Sequence, residues 1–272
     1  MSIAISIVLY DNGDELIESI ESVLAIEADF QLYLIDNSKT NVLKKYAVDP
    51  RITYIFNATN LGYGAAHNIA LRKSIEQRIK YHLIMNPDVS FEKGTMEKIT
   101  GFMDDHPDIG ALMPKIYYPQ GHLQRLCKLL PTPFDLIGRR FLNNTQWAAH
   151  QNAKYELDQF GYNKILNTPA LSGCFMLLRT AALEKTGLFD ERFFMYLEDY
   201  DLARRINRFY RTVFFPGVSI VHGFKKGSYQ DPKLLRFHIQ SAVRYFNKWG
   251  WFFDQERQRL NDYVLKQISA PY

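Results

Sequence analysis

The sequence predicts a three-layer α/β/α domain on a mostly parallel central sheet, and three observations carry that prediction. The chain opens on a near-continuous apolar run, Ile3 to Tyr10, which reads as a strand buried on both faces. Strand-like and helix-like segments then alternate, the pattern of β-α-β crossover units. Four acidic or histidine-bearing clusters, far apart in sequence, each stand where a strand or helix stops: Asp36-Asn37, Asn86-Pro87-Asp88, Glu198-Asp199-Tyr200-Asp201 and His222. Ligands of an open parallel sheet bind beyond the carboxyl ends of its strands, so residues placed this way can converge on one pocket.

After the first strand, Asn12, Gly13 and Asp14 supply a turn and a helix cap, and Leu16, Ile17, Ile20, Val23 and Leu24 recur at helical spacing. The second strand is expected at Leu32 to Ile35, the third at Ile52 to Phe56 and the fourth at His82 to Met85, with helices from about Ala65 to Ile79 and around Met96 to Met103. From Pro119 to Pro169 the pattern weakens, with Pro131, Pro133 and the Asn143-Asn144 pair, and reads as an insertion with short helices of its own. Order returns with a buried strand at Leu171 to Leu178, a helix start at Thr180 and a turn at Gly187. A helix from Asp199 to about Phe209, a strand at Thr212 to Phe215, and a basic, aromatic helical tail from Pro232, broken near Trp249-Gly250-Trp251, complete the chain.

Composition excludes several classes. The 272 residues are 47% hydrophobic and 23% charged, which rules out a disordered or fibrous chain. A net charge of +4, from 33 Lys and Arg against 29 Asp and Glu, is too mild to imply nucleic acid. Two cysteines, Cys127 and Cys174, stand at no metal-ligand spacing and form no disulfide framework, which fits a reducing cytoplasm. The opening run lacks a basic leader and a small-residue cleavage site, and no later segment reaches the ~20 apolar residues of a membrane span. The expectation is a protein that can touch a membrane without crossing it.

The clusters carry chemistry. Asp88 follows a strand and precedes a helix expected to hold Glu92 in its first turn; a carboxylate there can ligate Mg2+ or Mn2+ and leave positions open for phosphate oxygens, or it can simply cap the helix. His222 is a competent further metal ligand, and the segment after it, Gly223-Phe224-Lys225-Lys226-Gly227-Ser228, is suited to closing over an anion. Glu198, Asp199 and Asp201 put three carboxylates within one helical turn, a repulsive arrangement. Asp201 pairs at i,i+4 with Arg205, whereas Asp199 is the candidate general base. Asn60-Leu61-Gly62-Tyr63-Gly64-Ala65-Ala66-His67-Asn68 lacks the third glycine of a dinucleotide fingerprint and the Gly-Lys-Ser/Thr of a P-loop, so it is either a close backbone approach to ribose or phosphate or a capped tight turn. In the tail, Lys233, Arg236, Arg244 and Lys248 interleave with Trp249, Trp251, Phe252 and Phe253, which fits core packing, dimerisation or a membrane interface.

Taken in order, Val8-Leu9-Tyr10, Asp36-Asn37-Ser38, the segment Asn60 to Asn68, Asn86-Pro87-Asp88, Ser172-Gly173-Cys174-Phe175-Met176-Leu177 and Gly187 through Asp199 resemble the motifs of family 2 glycosyltransferases, in particular the rhamnosyltransferase-like branch. The resemblance runs from the first strand to about Ser241. It implies a GT-A fold over residues 1–225, with a nucleotide-binding half (1–115), an acceptor-binding half (116–225) and a C-terminal helical extension (226–272). It also implies inverting transfer of a sugar, rhamnose or another hexose, from a dTDP- or UDP-sugar to a glycan or lipid-linked glycan, as in bacterial O-antigen or capsule assembly. By that resemblance Asp36 meets the base, Tyr10, Asn37, Asn60, Gly62, Asn68, Asn86 and Lys226 belong to the nucleotide-sugar site, and Gly173 and Glu198 lie by the acceptor. Asp88, the last acid of the Asp-x-Asp motif, and His222 hold the metal, and Asp199 is the base. Asn86 departs from the motif with a neutral amide where many members carry a carboxylate, a change this branch tolerates. A non-catalytic sugar-nucleotide or carbohydrate-binding relative is the alternative; a nucleotidyltransferase is disfavoured because no glycine-rich Arg-Lys signature follows the first strand. Oligomeric state stays open.

Overall fold

The computed structural model describes residues 3–136, 145–223 and 231–269. Strand β1 (Ile3–Leu9) is buried almost throughout: Ile3, Ile5, Ile7 and Leu9 face the main core, while Ala4 packs into a second cluster with Ala66 and Ala70. Its two apolar faces require cover on both sides of the sheet. Helix α1 (Glu15–Leu24) turns Leu16, Ile20 and Val23 onto the first face. The chain returns in β2 (Phe30–Asp36), parallel to β1 with Leu9 opposite Asp36, and β3 (Ile52–Phe56) adds parallel at the outer edge. Helix α2 (Tyr63–Glu76) crosses the opposite face to β4 (Tyr81–Met85), which lies parallel on the far side of β1. The order β3-β2-β1-β4 thus reverses beside β1, which opens a crevice at the carboxyl ends where Asp36 and Asn86 emerge.

Beyond β4 the sheet departs from the expected plan. Asn86-Pro87-Asp88 leads not straight into a helix but into a three-residue strand, β5 (Val89–Phe91); α3 begins only at Thr95 and runs to Asp105, so Glu92 precedes it. Strand β6 (Ile109–Tyr117) was not anticipated at all. In the 119–169 stretch lie α4 (Pro133–Leu136), α5 (Gln146–Tyr155), capped by the Thr145 hydroxyl, and β7 (Leu166–Asn167). The strand expected from Leu171 is shorter, β8 (Phe175–Arg179), because Gly173 gives its N–H to a side chain rather than to a ladder. It is wedged antiparallel between β4 and β6. Helices α6 (Thr180–Thr186) and α7 (Glu198–Asn207) follow α2 on its face of the sheet.

Strand β9 (Arg211–His222) is one continuous strand where a short one was expected. It runs parallel to β6 and passes Pro216 and Gly217 where the register jumps from Pro114 opposite Phe215 to Lys115 opposite Ser219. Its end pairs antiparallel with β5, placing His222 opposite Val89. Six strands (β1 to β4, β6 and β9) share one direction, and β5, β7 and β8 oppose them. Helices α8 (Pro232–Trp249) and α9 (Gln255–Ser269) confirm the helical tail, broken at Gly250, whose φ of +103° and proximity to the Phe253 carbonyl suit glycine alone. No helix among the described residues is long and apolar enough to cross a membrane.

Candidate active site

At the crevice, Asp36 is fully buried; its Oδ1 accepts the Ser38 N–H at 2.8 Å and its Oδ2 accepts the Tyr54 hydroxyl. Burial and the neighbouring carboxylate keep Tyr54 a phenol. Asn37 reaches across to the 57–62 segment: its Nδ2 donates to the Gly62 carbonyl at 3.3 Å, and its Oδ1 accepts Asn57 Nδ2 at 2.9 Å. Asn60 Oδ1 accepts the Gly62 N–H at 2.9 Å. Gly62 has φ +89°, and a Cβ there would stand 2.4 Å from the Phe194 carbonyl, the same oxygen that accepts the Tyr63 N–H. The glycine therefore lets the donor half touch the loop that leads to α7. Tyr10 stands exposed at the end of β1, its ring open to stacking. Asn68 is not brought to this crevice. Its amide is committed inside the protein, donating to the Phe189 carbonyl and Glu191 and accepting the Phe189 N–H. Lys226 lies outside the described residues.

The second group gathers where β5 meets β9. His222 Nε2 faces Asp88 Oδ1 at 3.4 Å and the Asn86 amide at 3.2 Å, three residues that sequence reasoning paired without knowing the strand that joins them. Gln124, which sequence reasoning missed, fixes the ring. Its Nε2 donates to the His222 carbonyl at 2.6 Å, which leaves its Oε1, 3.0 Å from Nδ1, to accept that N–H. Nε2 is thus the atom presented to Asp88. Burial disfavours a charged ring here, but Cys174 and Asp88 outweigh it and push the imidazole up to about 10. A divalent cation bound through His222 Nε2 would compete with the proton on that ring. Among the described residues no three His, Cys, Asp or Glu side chains form a closed metal cage. Asp88 and His222, with the Asn86 amide beside them, instead offer an oxygen and nitrogen half-shell, which fits Mg2+ or Mn2+ completed by a ligand's own oxygens.

The third group sits at the start of α7. Tyr196 and Leu197 both adopt left-handed backbone, φ +73° and +65°, a strained entry that aims Glu198 and Asp199. Asp199 Oδ2 accepts the Gly173 N–H at 2.9 Å and Oδ1 accepts the Tyr200 N–H at 2.8 Å. Burial pushes the Asp199 carboxyl up, and those amides oppose the rise. Glu198 is driven well up by burial and by Asp199, and its buried Oε2 has no partner among the described residues. Burial thus disfavours a second negative charge on the pair, and it does so more strongly at Glu198 than at Asp199. Asp201 accepts Arg205 Nε at 2.9 Å, the expected pair, and also Lys248 and the Trp249 indole.

Tyr63 joins the groups. Its hydroxyl donates to the Gly173 carbonyl at 2.7 Å and lies 3.1 Å from Asn86 Oδ1, so one phenol spans from Asn86 to the residue whose N–H holds Asp199. Burial, then the surrounding acidic groups, hold it well above its ordinary range. Its place between Gly62 and Gly64 was the available signal, overshadowed by the glycines themselves.

Comparison with known proteins bears on this constellation. The family model described as Glycosyl transferase family 2 matches residues 4–187. The N-acetylglucosaminyl-diphospho-decaprenol L-rhamnosyltransferase of Mycobacterium tuberculosis is 27% identical over 244 residues, 83% of this chain and 77% of that protein. Among solved structures, S. aureus TarS 1-349 superposes with a TM-score of 0.59 at 17% identity, covering 97% of this chain and 71% of that one. The mannosyltransferase PcManGT from Pyrobaculum calidifontis, in complex with GDP-Man and Mn2+, gives a TM-score of 0.56 at 16% identity over 89% and 64%. At these identities the structures speak to the fold.

Proposed function

The chain belongs to glycosyl transferase family 2, and from that premise we propose that it is an inverting sugar transferase with a nucleotide diphosphate sugar as donor and a glycan or lipid-linked glycan as acceptor. One observation supports it most: Asp199, its carboxylate oxygens each accepting a backbone amide, is linked through Gly173 and Tyr63 to Asn86, beside Asp88 and His222. In this reading Asp199 takes the proton of the acceptor hydroxyl as its oxygen attacks the anomeric carbon. The bond from that carbon to the diphosphate oxygen breaks, and the electron pair leaves with the nucleoside diphosphate. A single displacement with one base inverts the anomeric centre. Asp88 and His222 would hold a divalent ion on the diphosphate, where it would offset the charge that develops on the leaving group. In this reading Tyr10 and the Asn37 to Gly62 lattice form the wall for base and ribose, and Gly173, whose missing side chain lets Tyr63 and Asp199 close on its backbone, lies by the acceptor.

The similarity to a rhamnosyltransferase favours a dTDP-linked deoxyhexose, UDP-sugars being the next candidates, and work at the inner face of the cytoplasmic membrane in bacterial surface polysaccharide assembly. The deciding experiment is Asp199→Asn in a transfer assay with donor binding measured alongside. Transfer should fall at least about a thousandfold while donor affinity stays within a few fold, because only the base is lost. Near-normal turnover would overturn the assignment. Donor binding without transfer by the wild type, across dTDP- and UDP-sugars and lipid-linked acceptors, would favour the non-catalytic alternative.

A further inference from the structure

The turn between α8 and α9 does something unusual for a surface loop. Phe252 and Phe253 are 78% and 97% exposed, side by side. The backbone beneath them is fixed rather than loose. The Gly250 N–H donates to the Phe246 carbonyl at 2.8 Å, and the buried Arg257 donates to the carbonyls of Trp251 and Phe252. Asp254, the next residue, binds the buried Arg204 through both oxygens at 2.6 and 2.8 Å. Two phenyl rings are therefore held out into solvent by a rigid base. Adjacent, fully exposed aromatics on a fixed turn mark a contact surface rather than a folding accident.

The helix that delivers the turn shows what it contacts. The α8 sequence contains no Asp or Glu. Its outward stripe runs Lys233, Arg236, Ile239, Val243 and Arg244, all exposed, and these three cations have no acidic partner among the described residues. Lys248 differs, for it is paired with Asp190 and Asp201. A cationic stripe with interspersed aliphatics, ending in aromatic side chains, complements an anionic headgroup layer over hydrocarbon. The opposite face of α8 packs Tyr245 and Phe246 against Phe193 and Leu197, and Ser241 Oγ donates to the Met195 carbonyl at 2.8 Å. Whatever α8 rests on is thereby one helix away from the 193–197 segment that leads into α7 and Asp199.

We propose that the Phe252-Phe253 turn and the outer face of α8 form a docking surface for an anionic lipid bilayer, which seats the acceptor end of the cleft at the membrane. The purpose rests on the lipid-linked acceptor reading above; the docking itself does not. Co-sedimentation with vesicles of phosphatidylcholine alone or with 30% phosphatidylglycerol (roughly the charge density at which basic clusters bind), without nucleotide or acceptor, tests it. The wild type should bind the anionic vesicles at least about tenfold more strongly than the neutral ones. Phe252→Ser with Phe253→Ser should lose at least about tenfold in binding to anionic vesicles with an unchanged melting temperature, because both rings are already exposed. Lys233→Gln with Arg236→Gln and Arg244→Gln should abolish the preference for anionic lipid. Equal binding by wild type and the double variant, or no binding by the wild type, overturns the proposal. So does a wild-type dimer, seen by light scattering, that the double variant dissolves, since the turn would then meet a second copy of the chain. Vesicle binding that persists while no lipid-linked acceptor is ever glycosylated would sink the acceptor reading and leave the docking surface standing.

Discussion

Tyr63→Phe tests the bridge between the two ends of the site. The substitution keeps the ring, which packs edge-on against His67 at 4.4 Å, and deletes only the hydroxyl between Gly173 O and Asn86 Oδ1. A hydrogen bond of this kind contributes about 1 kcal/mol net, and the Gly173 carbonyl left without its donor sets the upper end of the loss at about 3 kcal/mol. Melting should therefore fall by only a few degrees. Catalysis should suffer more. The carbonyl released belongs to the residue whose own N–H holds Asp199 Oδ2 at 2.9 Å, so Gly173 can shift, and a displacement of about 1 Å at a reacting group can cost a hundredfold. The expected result is a kcat reduced about ten- to a hundredfold, with the donor KM changed by much less because the Asn37 to Gly62 lattice is untouched. Steady-state transfer with saturating donor, read beside a thermal melt, gives both numbers. A kcat within twofold of wild type in a stably folded variant would show that Tyr63 does not couple the two ends.

Three further outcomes follow from named contacts. Gln124→Leu removes the acceptor that fixes His222 Nδ1, so titration of Mn2+ in the presence of a nucleoside diphosphate should show affinity lowered about ten- to a hundredfold, with Gln124→Glu retaining more than the leucine variant; equal affinity in all three proteins would contradict the tautomer argument. Glu198→Gln mimics the neutral acid that burial and Asp199 enforce, so it should keep transfer within about tenfold while Asp199→Asn does not, and equal losses in the two variants would mean that the charge is not on Asp199. His82 is buried with its nitrogens bonded to Ser6 and Ser74 and its pKa is depressed to about 3, so below its ordinary 6.5 the unfolded chain takes up a proton that the folded chain refuses. Its stabilising contribution is intact above pH 6.5 and falls by about 2 kcal/mol by pH 5, which urea unfolding should show as a pH slope that His82→Gln flattens; identical slopes would refute it.

How much of this was legible in the sequence depended on how local each signal is. The β1 to β4 half was readable because its apolar runs stand out and β1 and β3 are each followed by an α-helix of their own. Strand β6 was not, because Gly110 and Pro114 read as loop residues. In the structure, Gly110 leaves room for Ile206 and Tyr210, either of which would stand 2.7 Å from a Cβ, and Pro114 is accommodated at a register shift. The Asp88 and His222 pairing came from the family resemblance and not from any local pattern, because the contact depends on β5, three residues whose partner lies more than a hundred positions away. Gln124 was hidden for the same reason, in a stretch with no periodicity at all. Asn68 shows the opposite error. Its place after the glycine segment suggested a ligand contact, but as a buried position of α2 its amide is taken up by Phe189 and Glu191.

The placement of α7 follows from forces at both of its ends. At its start the two left-handed residues turn the chain into the helix, and the Gly173 amide and the helix N-terminus oppose the effect of burial on the Asp199 carboxylate. One turn further on, Arg204 is 1% exposed and held by Asp254 and Glu256, with the Trp249 ring 4.1 Å from its guanidinium carbon. A buried cation of this kind contributes little as a replaceable ion pair, yet removing one partner costs about 3 to 5 kcal/mol, so it fixes geometry more than it adds stability. Asp254 comes from the α8 to α9 turn, where it directly follows the exposed Phe253, and Glu256 from the first turn of α9. The C-terminal helices thus help to set the direction of α7 and of Asp199 at its start: without them Arg204 would lose Asp254, Glu256 and the Trp249 ring together.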